Sequence, residues 1–208
     1  MVTKLLLATR NRGKVRELTQ LLSGLRDLEL VALDDVPAPE VIEDGETFEH
    51  NARKKAVEIA RATGMLVLSD DSGLEVDALG GRPGVQSARY AGAGASDAEN
   101  NAKLVAELTR LSLLPEQRTA RYRVVLALAA PTGPLAAAPH LEEGRCEGRI
   151  RLQPRGEHGF GYDPYFEPAG HDCTMAELVP EQKNRISHRA QAAVKMQRFL
   201  ERYVRGGE

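Results

Sequence analysis

The 208-residue chain has no excess of either charge: 28 lysines and arginines stand against 30 aspartates and glutamates, a formal net charge of −2 at pH 7. A protein that coats DNA or an anionic membrane carries a strong basic surplus, so neither nucleic acid nor a membrane is expected as a partner. Long hydrophobic runs are missing too, and none approaches the roughly 20 residues of a membrane span. The opening MVTKLLLATRNRGK holds only a short apolar stretch before charge returns, too little for a secretory signal, which leaves a cytoplasmic protein as the expectation. Only two cysteines occur, Cys146 and Cys173, and they lack CxxC spacing, so neither a zinc site nor a disulfide framework is indicated. Internal repeats, linkers and low-complexity segments are absent. What is present is 42% hydrophobic and 28% charged residues, the composition of a folded globular chain. At this length it buries roughly 70% of its unfolded surface, as one domain or as two lobes sharing a core.

Periodicity places the elements. Lys4 to Thr9 is a continuous apolar run and predicts a buried parallel strand. Val15, Leu18, Leu21 and Leu22 recur at helical spacing over Lys14–Leu22. Leu28–Leu33 reads as a second strand, followed by an acidic, proline-containing loop from Asp34 to Gly45. A helix is predicted from about Thr47 to Thr63, with Phe48, Ala52, Ala56, Ile59 and Ala60 inward and Gly64 as its stop. Met65–Ser69 predicts a strand that ends at Asp70-Asp71-Ser72-Gly73, and Ala78–Gly94 a glycine-rich loop. Ser96 or Asp97 caps a helix reaching about Leu113. Strands follow at Tyr122–Ala130 and Gly144–Leu152, then an aromatic loop at Gly156–Pro168. A last helix runs from near Ser187 to about Val204, with Ala190, Ala193, Val194, Gln197 and Leu200 inward and Arg205-Gly206-Gly207-Glu208 as a frayed tail. Strands alternating with helices indicate a three-layer α/β sheet.

Polar residues concentrate in four places. Thr9-Arg10-Asn11-Arg12-Gly13-Lys14, between a strand and a helix, suits an anion, because free N–H groups and the helix dipole favour negative charge there. It lacks Walker A spacing, and taken alone an ordinary polar turn accounts for it better. Asp70-Asp71 places successive carboxylates at a strand end, where repulsion and desolvation call for a cation, naturally Mg²⁺, or for a helix cap or Asx turn. The acidic residues Glu40, Glu43, Asp44 and Glu46 offer a second ligand. His158 to Phe166 sets aromatics among glycines, either as a platform for a flat base or as a small core under a loop. In Lys183-Asn184-Arg185-Ile186-Ser187-His188-Arg189, Ser187 reads as a cap that leaves His188 and Arg189 in the first helical turn. That is the unfavourable end of the dipole for positive charge. Together the four describe a site for a nucleoside triphosphate.

The strings TRNRGKVREL, EDGETFEHNARKKA, SDDSGLEVDALGGRPGVQSARYAG, GFGYDPYF and QKNRISHRAQA resemble the Ham1 family of inosine/xanthosine triphosphate pyrophosphatases, in the same order and with similar spacing, from about residue 4 to about residue 200. The resemblance implies one domain over residues 1–208: α/β, with a central twisted mixed sheet flanked by helices, and two lobes with the active site in the cleft between them. It also implies a homodimer that uses Mg²⁺ to hydrolyse ITP, dITP and XTP to monophosphate and pyrophosphate. By the same resemblance Thr9, Arg10, Asn11, Arg12, Gly13 and Lys14 hold the triphosphate, and Lys55 is a second phosphate-binding cation. Glu43 and Asp71 hold Mg²⁺, Asp71 activates the attacking water, and Ser72 touches the substrate. Phe160, Gly161, Tyr162, Asp163, Lys183, His188 and Arg189 surround the base. Two positions depart from the family pattern: Arg10 stands where glycine is common, and Gln182 where glutamate is common.

Overall fold

A computed structural model describes residues 2–206; Gly207 and Glu208 of the expected tail lie outside them. The elements are β1 (Thr3–Ala8), α1 (Arg12–Leu22), β2 (Leu28–Ala32), α2 (Phe48–Thr63), β3 (Leu66–Val76), α3 (Asp97–Arg110), β4 (Thr119–Ala129), α4 (Pro134–Ala137), β5 (His140–Ile150), β6 (Phe166–Pro168), α5 (Pro180–Ile186) and α6 (His188–Val204). The strands form one six-stranded sheet in the order β2-β1-β3-β4-β5-β6. β1 pairs in parallel with β2 and β3, whereas β5 and β6 are antiparallel, so the sheet is mixed. Among the described residues no helix is long and apolar enough to cross a membrane.

The chain clusters into two compact units. One comprises Met1–Asp71, Val124–Gly144 and Arg189–Glu208; the other comprises Ser72–Arg123 and Arg145–His188. In the first, Leu5 and Leu7 of β1 and Leu66 and Leu68 of β3 pack with Leu18 and Leu22 of α1 and with Ala192, Met196 and Leu200 of α6. Alternation along a strand turns Ser69 to the opposite face from Leu68. There its hydroxyl donates to the Ala52 carbonyl of α2 at 2.6 Å, so helices cover this part of the sheet on both sides. α2 is bounded as its sequence indicates, with Thr47 accepting from the His50 amide and Gly64 in the left-handed region at φ 69°.

The second unit has its own cluster, built from Leu74 and Val76 of β3, Leu104 and Leu108 of α3, Tyr122 of β4 and Ile150 of β5, with Tyr162, Phe166 and Met175. A capping box between Ser96 and Glu99 starts α3. Both cysteines are free thiols.

Three expectations need correction. β3 does not stop at Ser69 but continues to Val76, so Asp70-Asp71-Ser72-Gly73 is strand, with the buried Asp70 carboxylate met there by Lys14 and Arg189. α5 occupies a stretch where periodicity predicts nothing, since seven residues make too few turns to register. Val194 is 46% exposed, and Met196, fully buried, takes the place assigned to it on the inner face of α6.

Candidate active site

The functional groups of the first unit follow from the extension of β3. Asp70 and Asp71 are neighbours within a strand, so their side chains leave on opposite faces rather than repelling one another. Asp70 continues the face of Leu66 and Leu68, and it is fully buried. Lys14 Nζ lies 2.6 Å from Asp70 Oδ1, and Arg189 Nε donates to Asp70 Oδ2 at 2.7 Å. The other side of the Arg189 guanidinium pairs with Glu17 of α1. Burial alone pushes the Asp70 carboxyl upward, but the charges of Arg189 and Lys14 prevail and hold it well below the ordinary range. Arg189, only 1% exposed, stays charged because Asp70 and Glu17 outweigh its own desolvation.

Asp71 faces the α2 side. Its carboxyl is 4% exposed and pushed up to about 6, chiefly by burial. Lys14 pulls it down, the nearby Glu43 charge pushes it up, and Lys55 and the Asn51 amide pull it down again. Lys55 of α2 pairs with Glu43 and donates to the Asp70 carbonyl at 2.9 Å. Asp71 Oδ2 is buried with no hydrogen-bond partner. The result is a carboxylate that titrates near neutrality, with cations on hand and one oxygen uncommitted.

The second unit holds a different centre. Asp163 Oδ2 accepts from the Phe160 amide at 2.9 Å and from Lys183 Nζ at 2.5 Å, and Asp163 Oδ1 accepts from the Tyr122 hydroxyl at 3.2 Å. The ammonium of Lys183 sits 5.0 Å from the centre of the half-buried Phe160 ring. His188 stacks on Tyr122, with ring centres 4.8 Å apart and planes at 12°. Asp97 accepts from the Gly161 amide at 2.7 Å, and Asn101 donates to the Gly161 carbonyl at 2.9 Å. A flat aromatic face, an ammonium and an imidazole gathered in this way suit a heteroaromatic ring that carries hydrogen-bond acceptors.

Comparison with known proteins decides the family. The Ham1 family model matches residues 5–199. The chain belongs to the Ham1 family. It is 50% identical to a dITP/XTP pyrophosphatase of Geobacillus kaustophilus over 98% of this chain and 97% of that one. A dITP/XTP pyrophosphatase of Bacillus subtilis is 46% identical over 94% and 96% of the two chains. A HAM1 protein from Coxiella burnetii superposes with a TM-score of 0.85 at 39% identity, covering 96% of this chain and 99% of that one.

Mg²⁺ is the cation expected from the sequence resemblance, and the first unit's residues fit such an ion. The uncommitted Asp71 oxygen lies close enough to Glu43 for their charges to interact. Among the described residues no group of three histidines, cysteines, aspartates or glutamates forms a closed cage. Two carboxylates suit an ion that takes its remaining oxygens from water and substrate phosphates.

Against the residues expected from the Ham1 strings, the structure brings Glu43, Lys55, Lys14 and Asp71 together, and separately Phe160, Asp163, Lys183 and His188. Asn11 is the N-cap of α1: its Oδ1 accepts from the amides of Gly13 and Lys14 at 2.9 and 3.1 Å, so part of the expected backbone cradle is already engaged. Thr9 Oγ1 accepts from the Asn11 amide. Arg10 forms a surface pair with Asp34, and Arg12 is exposed. Ser72 is half-buried in β3. Two placements differ from expectation. Tyr162 is a core residue whose hydroxyl donates to the Ser87 carbonyl at 2.8 Å, because the glycines around it fold the loop inward. Arg189 is not a base-edge donor on display but the centre of a buried ion-pair network, which also removes the dipole cost that its helical position suggested. Glu17, Asn51 and Tyr122 are not among the sequence candidates, and Asp70 is among them only as a cation ligand beside Asp71, not as the partner of Lys14 and Arg189. The signal for two of them was legible: Lys14 with Glu17 on α1, and Asn51 with Lys55 on α2, set polar groups three and four residues apart beside an apolar face.

Proposed function

We propose that this chain hydrolyses deaminated purine nucleoside triphosphates, ITP, dITP and XTP, to the monophosphate and pyrophosphate, clearing them from the cytoplasmic nucleotide pool. Water attacks the α-phosphorus, the bond to the oxygen bridging α and β breaks, and pyrophosphate leaves. Asp71 carries the reading. Its carboxylate, ionised at neutral pH, can accept the proton of that water, and it stands among cations that suit a polyphosphate. Glu43 and Asp71 would hold Mg²⁺, which when bound neutralises charge on the pyrophosphate and acidifies water. Lys14 and Lys55 balance the remaining charge, aided by Thr9, Asn11 and Gly13, with Ser72 as a further substrate contact. Arg189 keeps Asp70 charged, and Asp70 keeps Lys14 in place.

For the base, Phe160 supplies a stacking face. Lys183, oriented by Asp163, and His188 act as donors toward the 6-oxygen of hypoxanthine or xanthine. Adenine offers an amino group there, so donor meets donor and a buried donor goes unpaired, which discriminates strongly. The relatives named dITP/XTP pyrophosphatase support this choice of substrate. Ham1 membership also supports a homodimer, which sedimentation velocity checks. The deciding experiment is to incubate the protein with ITP and Mg²⁺ and identify the products. IMP with pyrophosphate is expected; IDP with orthophosphate would make it a phosphatase instead.

A further inference from the structure

Asn51 has no part in the chemistry above, yet it is 1% exposed and lies one helical turn before Lys55 on α2. Its side chain is engaged at both ends. Oδ1 accepts from the Gly45 amide at 2.8 Å and Nδ2 donates to the Gly45 carbonyl at 3.3 Å. The helix that carries Asn51 is itself fixed beside Asp71: Lys55 donates to the Asp70 carbonyl at 2.9 Å, and the Ser69 hydroxyl donates to the Ala52 carbonyl at 2.6 Å. The fit is close on the loop side: a Cβ on Gly45 would lie 2.6 Å from Asn51 Oδ1 and 2.5 Å from the His50 ring. Gly45 follows Glu43 by two residues, and Lys54 holds the intervening Asp44 at 2.6 Å.

We propose that Asn51 is a positioning residue that fastens the acidic loop bearing Glu43 to α2, the helix held against β3 beside Asp71, so that both oxygen ligands of a divalent cation are set before the cation arrives. The assignment of that cation to catalysis rests on the function proposed above, whereas the pairing itself does not. Ligands fixed in advance lose less freedom on binding, and partners that orient ligands are typically worth about 10–100-fold in metal affinity.

The test uses Mn²⁺ as probe on the nucleotide-free protein, by calorimetry, together with amide hydrogen exchange over residues 41–46. Asn51→Ala lowers Mn²⁺ affinity about 10-fold or more and speeds exchange in that segment. In ITP hydrolysis it raises the metal concentration for half-maximal rate, while KM for ITP at saturating metal changes by less than about 3-fold. Gly45→Ala breaks the same pairing from the loop, leaves the core untouched and gives the same result, which keeps the question answerable should Asn51→Ala fail to fold. Folded variants with parental Mn²⁺ affinity and parental exchange overturn the proposal, as does a parent protein that takes up no Mn²⁺. A parent that binds Mn²⁺ but leaves ITP intact refutes the function and not the role of Asn51.

Discussion

Asp70 and Asp71 share a residue type and adjoin one another, but they differ in everything that matters chemically, because a strand sends them to opposite faces. Asp70 is paired with Lys14 and Arg189 and held low; Asp71 is desolvated, only partly compensated and raised to about 6. Asp71→Asn is therefore expected to cut turnover about 10²–10⁴-fold, the usual worth of a general base, while nucleotide affinity in a binding titration stays near parental. Near-normal turnover would remove Asp71 from the mechanism. Asp70 bears on stability instead. Its folded pKa lies below its unfolded value near 3.9, so the stability it contributes is fully present above that pH and is lost as pH falls through the folded value. Carbon NMR of the side-chain carboxyls should find the Asp70 midpoint well below the ordinary aspartate value of about 3.9; a midpoint near that ordinary value would show that the ion pairs do not form in solution.

Among the elements, α1, β3 and α6 are tied together by the Glu17–Arg189–Asp70–Lys14 network, in which positive and negative charges alternate within the first unit. Arg189→Ala leaves two buried carboxylates facing one lysine and should lower stability by about 3–5 kcal/mol in urea unfolding. A loss under about 1 kcal/mol would place the network in water. Within the second unit, the run of β3 past the carboxylates depends on Gly73, where a Cβ would collide with the Gly84 carbonyl and the Ser87 hydroxyl. That hydroxyl accepts from the Leu74 amide at 2.9 Å and donates to the Gly84 carbonyl at 2.6 Å. Gly73→Ala is expected to cost about 1–3 kcal/mol through overpacking, read as a lowered unfolding midpoint with Ser96→Ala, worth about 1 kcal/mol, as a yardstick on α3.

On the scale of the whole molecule, a net charge of −2 leaves the cations to act locally, each held by a named carboxylate. A labelled oligonucleotide should accordingly show no salt-sensitive binding in fluorescence anisotropy; a steep salt dependence would reveal a basic surface that the composition hides. Helix and strand order was legible in the chain because apolar spacing repeats over enough residues, and Thr47, Gly64 and Ser96 mark ends by local backbone chemistry alone. The carboxylates, lysines and aromatic loop were legible as a set, since such groups cluster in few places. The pairing was not legible: Asp70 meets Arg189 across 119 positions of sequence, and α5 and the continuation of β3 through Ser72 depend on neighbours that no local pattern names. Composition and periodicity thus determined which segments form and which groups are available for chemistry. Packing alone decided which carboxyl is neutralised by cations and which is left desolvated and reactive, because burial and charge proximity are properties of the folded chain and not of its order.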